Sequence, residues 1–237
     1  MRVTAWGVCL MGMLSASCGG AAPPPPETPS GVELQPFEAP RGGMQVEGIL
    51  GTIPQRKIEA ALQAKLPEFQ RCFFDGASQV EMLSGHMKFY FRVGLDGRVE
   101  WVHPRGSSVG HRPTETCLLS RAARVKFPEP KGGGPAEFAW GFEVDNSDVV
   151  RAPVAWDAEQ VSAVVDQHRA ELGACEVHEP GHYKVTVYVA PGGKVLGAGA
   201  ATDSQPAAER IDCITEAIQR WTFPDPGSYA AKVTFGL

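Results

Sequence analysis

From His86 onward the chain alternates with a period of two. Phe89, Phe91, Val93 and Leu95 fall on one side and Lys88, Tyr90 and Arg92 on the other, which predicts a half-buried strand. Asp96-Gly97 turns the chain, and Val99, Trp101 and His103 carry the pattern back as a hairpin. Upstream the spacing is helical: Ile58, Ala61, Leu62, Lys65, Phe69 and Cys72 share a face, with Pro67 predicting a kink or break. Thr52 and Gln55 form a capping-box pair at the expected start of that helix. Pro113 opens a second helix through Cys117, Leu118, Ala122 and Val125, which Phe127-Pro128-Glu129-Pro130 stops. Phe138, Trp140, Phe142 and Val144 alternate as a closing strand, and Met44–Leu50 is a candidate short leading strand.

The same order then recurs. Asp157 and Gln160 make another capping box, and Val161, Val164, Val165, His168, Leu172 and Cys175 lie on one helical face. Tyr183, Val185, Val187 and Val189 predict a strand, Gly192-Gly193 a turn, and Val195 the start of the return. A helix with Cys213, Ile214, Ala217, Ile218 and Trp221 follows, ended by Phe223-Pro224-Asp225-Pro226. Tyr229, Ala231, Val233, Phe235 and Leu237 form the last strand. Gly97/Gly193, Cys117/Cys213 and Phe127/Phe223 each lie 96 residues apart, as do His86/His182, Lys88/Lys184 and Ser108/Ser204. So many anchors in one register identify a tandem duplication. The expected fold class is α+β: two α-β-β-α-β units, or βαββαβ if a leading strand such as Val149–Val154 is counted. Each is a small antiparallel sheet with two helices on one face. The expected boundaries are 44–146 for the first unit and 147–237 for the second.

The N-terminus has a different character. Arg2, an apolar run from Val3 to Ala16, and Ser15-Ala16-Ser17-Cys18-Gly19-Gly20 describe a cleaved export signal over residues 1–17. The run is shorter than the roughly 20 residues that cross a bilayer. Small residues before Cys18 and Gly-Gly after it resemble the cleavage and acylation site of a bacterial lipoprotein, although Ser15 stands where an aliphatic residue is usual. Plain cleavage after Ser17 or Ala21 is the alternative. The resemblance implies lipidation of Cys18 and, with no Asp following it, an outer-membrane location, facing the periplasm in preference to the cell surface. Residues 18–43, with Pro23-Pro24-Pro25-Pro26, Pro29, Pro36 and Pro40, are expected to be a tether.

Composition narrows the function. A net charge of −5 argues against nucleic acid as a partner. Six cysteines divide as Cys9 in the signal, Cys18 for lipid, and two in each unit. In each unit one Cys ends the inward face of the first helix and the other lies inward on the second. An exported chain therefore predicts disulfides Cys72–Cys117 and Cys175–Cys213, with buried free thiols as the alternative. No Cys-x-x-Cys, phosphate-cradling glycine loop or nucleophile elbow is present, and Ser107-Ser108 with His111 has no full counterpart in the second unit. The expectation is a chain that is not an enzyme and takes no cofactor and no catalytic or structural metal.

The order of elements resembles the TonB/TolA-type C-terminal domain. Its marks are a Cys closing the first helix, a hairpin glycine, a Cys in the second helix and Phe-Pro-x-Pro before the last strand. It is most similar to the AgmX/PglI C-terminal variety of envelope and gliding-motility proteins. Over the two units the likeness spans about 190 residues. It implies a non-catalytic protein-interaction or scaffold component of a cell-envelope assembly, serving motility, secretion or envelope integrity. Its partners would be envelope proteins, with edge-strand addition as the candidate mode, and the lipid anchor would be its contact with membrane. An energy transducer of that family keeps an inner-membrane helix and a long arm, whereas a cleavable signal and short tether suit an outer-membrane adaptor. The other class weighed is a module binding a small ligand or cell-wall fragment between the units, with Trp101, Trp140 and Trp156 as contacts.

Overall fold

The first helix breaks in two where proline demands it. In the computed structural model, which describes residues 34–36, 50–177 and 182–237, α1 (Gln55–Gln63) stops short of Pro67 and α2 (Leu66–Ala77) restarts with that proline in its first turn. The expected Thr52 cap is not used: Pro54 is the N-cap, and Thr52 pairs instead with Lys131. The chain continues as β2 (Gly85–Val93), β3 (Val99–Ser107), α3 (Arg112–Ala122) and β4 (Ala136–Val144). A three-residue strand, β1 (Leu34–Pro36), lies within the expected tether and pairs antiparallel with β4, giving the sheet order β1-β4-β2-β3. The signal at 1–17, Cys18, the rest of the tether and the candidate strand at 44–50 lie outside the described residues, apart from Leu50.

The second half repeats this order as β5 (Val154–Trp156), α4 (Ser162–His168), β6 (Tyr183–Val189), β7 (Val195–Thr202), α5 (Gln205–Ala208), α6 (Ile211–Ile218) and β8 (Ala231–Gly236). The sheet order is β5-β8-β6-β7. Three details depart from expectation. The leading strand is Val154–Trp156 and meets the expected Val149–Val154 only at Val154. β5 runs parallel to β8, so this sheet is mixed. The first helix of this half is three short pieces: a 3-10 turn at Ala158–Val161, α4, and a 3-10 run at Arg169–Cys175. The Asp157/Gln160 capping box does open the first piece. Val161, Val164 and Val165, stiff at their first side-chain torsion, crowd an α-turn and support a long helix poorly.

Each half has its own core on the helix side of its sheet. The first is aromatic: Phe69 stacks on Phe142 at 5.5 Å, Phe89 on Trp140 at 6.2 Å, and Phe91 on Phe138 at 5.3 Å. The second is mainly aliphatic, with Val185, Val187, Val189, Val165, Leu172, Ile211, Ile214 and Ile218 all buried. Leu95, expected on the inward face of β2, is 59% exposed, because the strand ends at Val93 and the turn begins.

The recurring Phe-Pro-acid-Pro now has a physical role. Gly97 and Gly193 take positive φ, and a Cβ on either would stand 2.1 Å from the carbonyl oxygen of Phe127 or Phe223. Phe127 N–H donates to the Gly97 carbonyl and Phe223 N–H to that of Gly193, each at 2.9 Å. The motif latches the end of the helix onto the hairpin tip, and only glycine lets the two backbones approach so closely.

Candidate functional site

Both halves belong to one compact unit, Val32–Leu237, and the chemistry collects where they meet. β3 and β7 pack against each other along this seam, with α3 set against β7 and α5 against β3. In β7 the run Gly197-Ala198-Gly199-Ala200-Ala201 is buried on both faces, because small residues let the first half come close. A Cβ on Gly199 would fall 2.4 Å from Glu115 Oε1.

Glu115 is fully buried at the centre of the seam. It accepts from the Ser107 hydroxyl at 2.6 Å and from the Ala200 N–H on the outer edge of β7 at 3.1 Å. Burial pushes its carboxyl pKa up, against the opposing pull of Ser107, Arg112 and the backbone of Ala200 and Gly110. A second contact is the Ser84 peptide. Tyr188 Oη receives the Ser84 N–H at 3.1 Å and donates to the Ser84 carbonyl at 3.0 Å, and Lys232 Nζ donates to the same carbonyl at 2.7 Å. The Lys232 ammonium also lies 5.0 Å from the centre of the Tyr188 ring. Burial pushes the Tyr188 phenol up to about 12 and the Lys232 ammonium down to about 8.

Beside the seam a cleft of about 490 Å³ opens between α3 and α6. Arg112 and Thr116 line it from the first half, and Asp212, Glu216 and Gln219 from the second. Arg112 Nε donates to Asp212 Oδ1 at 2.5 Å across it, while Arg112 Nη1 is buried without a hydrogen-bond partner.

The predicted site residues sort clearly. Cys72 is joined to Cys117, tying α2 to α3 with Cα atoms 5.8 Å apart. Cys175 is joined to Cys213, tying the 3-10 run to α6 at 5.6 Å. Ser108 and His111 do not meet: Ser108 Oγ pairs with His86 Nδ1 at 2.8 Å, Ser107 with Glu115, and His111 Nδ1 with Thr114 Oγ1 at 2.9 Å. The tryptophans do not converge either. Trp140 stacks in the first core, Trp156 packs against the second, and Trp101 stands on the opposite sheet face with Tyr90 at 5.9 Å and His103 at 5.7 Å. None of them lines the cleft. Residue patterns pass over Glu115, Tyr188 and Lys232, which occupy positions that read as solvent-facing. The signal that points to them is the small-residue run in β7, since a strand without bulk on either face is built for close approach. The chain matches no protein-family model, no curated protein and no solved structure.

Proposed function

We propose that this chain is an exported, non-catalytic lipoprotein, an interaction or scaffold component of a cell-envelope assembly in motility, secretion or envelope integrity. It would be anchored at the outer membrane through Cys18 and face the periplasm. One observation carries the reading: each half is closed by its own disulfide, bonds that persist in an oxidising compartment. Among the described residues, the outer edge of β5 is suited to a partner. The edges of β3 and β7 are taken up in the seam, and β1 flanks part of β4. On β5 the Val154 N–H donates to the Ala230 carbonyl at 2.9 Å, so in this parallel pair the N–H and carbonyl of the next residue, Ala155, point away from the sheet. Val154 beside it is 39% exposed. An extended segment of an envelope protein adding there would gain main-chain hydrogen bonds, with Val154 supplying apolar contact.

The test places a photo-crosslinker at position 155 in intact cells. Discrete protein adducts that disappear when Val154→Lys is added support the reading; cells in which no adduct forms refute it. Ala155→Pro complements this, removing the outward N–H while leaving the bonds to β8. It should change unfolding free energy by less than about 1 kcal/mol while abolishing partner capture. A second reading, a small ligand or cell-wall fragment held between the halves, draws on the cleft at Arg112. Calorimetric titration with muropeptides, giving heat that Arg112→Gln removes, would favour it.

A further inference from the structure

Lys232 brings to the seam a charge that its surroundings do not match. Its ammonium has three donors. One meets the Ser84 carbonyl, and the group lies against the Tyr188 ring. Among the described residues no carboxylate forms an ion pair with it, and the opposite charge that acts on it is Glu143, at longer range. A half-desolvated cation in this position is costly unless an anion joins it.

More positive charge gathers at the same corner. His86 lies two residues beyond Ser84 and opposite Glu143 across the β2–β4 ladder, and it feels the charges of Lys232, Lys184 and Lys88 together with that of Glu143. Lys88 projects from the outer face of the first sheet, and Lys184 shares the outer face of the second sheet with Tyr188 and Lys232. Of the side-chain charges that act on His86, three are lysines and one is a carboxylate, so this set is positive on balance in a chain whose net charge is −5. Such a cluster suits a doubly charged group better than a single carboxylate. Lysine recognises phosphate as a point charge through such contacts.

We propose that this corner of the seam binds a phosphate-type dianion, with Lys232 donating from its floor and Lys88, Lys184 and His86 around the rim. Free phosphate and a phosphomonoester headgroup share that chemistry. The test titrates the isotope-labelled full chain with inorganic phosphate at pH 7 and constant ionic strength, with chloride as the control, reading the amide signals of Ser84, Gly85 and Lys232. Saturable shifts are expected, with affinity weakened about 10-fold or more by Lys232→Met, the loss of one charge-assisted hydrogen bond. Lys184→Ala, at an exposed position that folding does not need, should weaken it about two- to fivefold. Flotation with vesicles containing phosphatidic acid, against phosphatidylcholine alone, identifies the source. Flotation that depends on Lys184 without binding of free phosphate supports the site with a headgroup as its ligand. Absence of both, or binding equal in wild type, Lys184→Ala and Lys232→Met, overturns it.

Discussion

Gly97 and Gly193 carry a backbone constraint that a side chain would break. At φ of 77° and 82°, with a carbonyl oxygen 2.1 Å from where a Cβ would stand, alanine must move either the hairpin tip or the Phe-Pro latch. Gly97→Ala and Gly193→Ala should each lower unfolding free energy by about 2 kcal/mol or more, measured by urea denaturation. Lys232 makes a prediction in pH. Its folded value near 8 lies below its ordinary 10.5, so between those values the unfolded chain binds the proton that the folded chain has released. Stability contributed by this residue therefore rises from pH 8 toward 10, by up to about 3 kcal/mol. Tyr188, raised to about 12, acts oppositely above pH 10, where the unfolded phenol loses its proton first and stability falls. Denaturation midpoints of wild type and Lys232→Met, compared from pH 7 to 10, isolate the lysine: the difference between them should change with pH, and parallel curves would contradict its burial.

At the scale of elements, the two disulfides close loops with sequence separations of 45 and 38 residues. The chain-entropy model gives each about 4 kcal/mol. Cys72→Ser with Cys117→Ser, or Cys175→Ser with Cys213→Ser, should lower stability by about that amount in urea unfolding without loss of secondary structure. These pairings were legible in advance because helical periodicity places each cysteine on an inward face, which is the geometry a bridge needs. The strands were legible for a similar reason, as alternation in Phe89, Phe91 and Val93 reports a buried side directly. Periodicity served less well where local stiffness decides. Val161, Val164 and Val165 have helical spacing, yet their branched side chains leave a chain of short turns. Leu95 keeps the strand pattern past the point where Gly94 and Asp96 have already begun the turn.

The whole molecule depends on a seam that neither half reveals by itself. Glu115, Tyr188 and Lys232 look like ordinary outward residues within their own element, and the other half supplies partners that no single half contains: the Ala200 N–H for Glu115 and the Ser84 carbonyl for Tyr188 and Lys232. Duplication was plain from the 96-residue register, but a repeat pattern describes what the halves share and is silent on where they differ. A chain of residues 147–237 alone would expose Thr186, Tyr188 and the small-residue face of β7. It should unfold at lower urea than the same half within the full chain and self-associate in sedimentation, whereas the full chain should unfold in one transition.

One contact, between Glu115 and the edge of β7, also governs which halves can pair. The place of Glu115 is held 96 residues later by Ile211, and the place of Ala200 is held 96 residues earlier by Pro104, which has no N–H to give. Two first halves set face to face would strand their carboxylates against prolines. Two second halves would leave edge amides against isoleucine. Unlike partners alone satisfy both sides, so gene duplication followed by these two exchanges would turn an ancestral like-with-like dimer into a chain that recognises only its own other half.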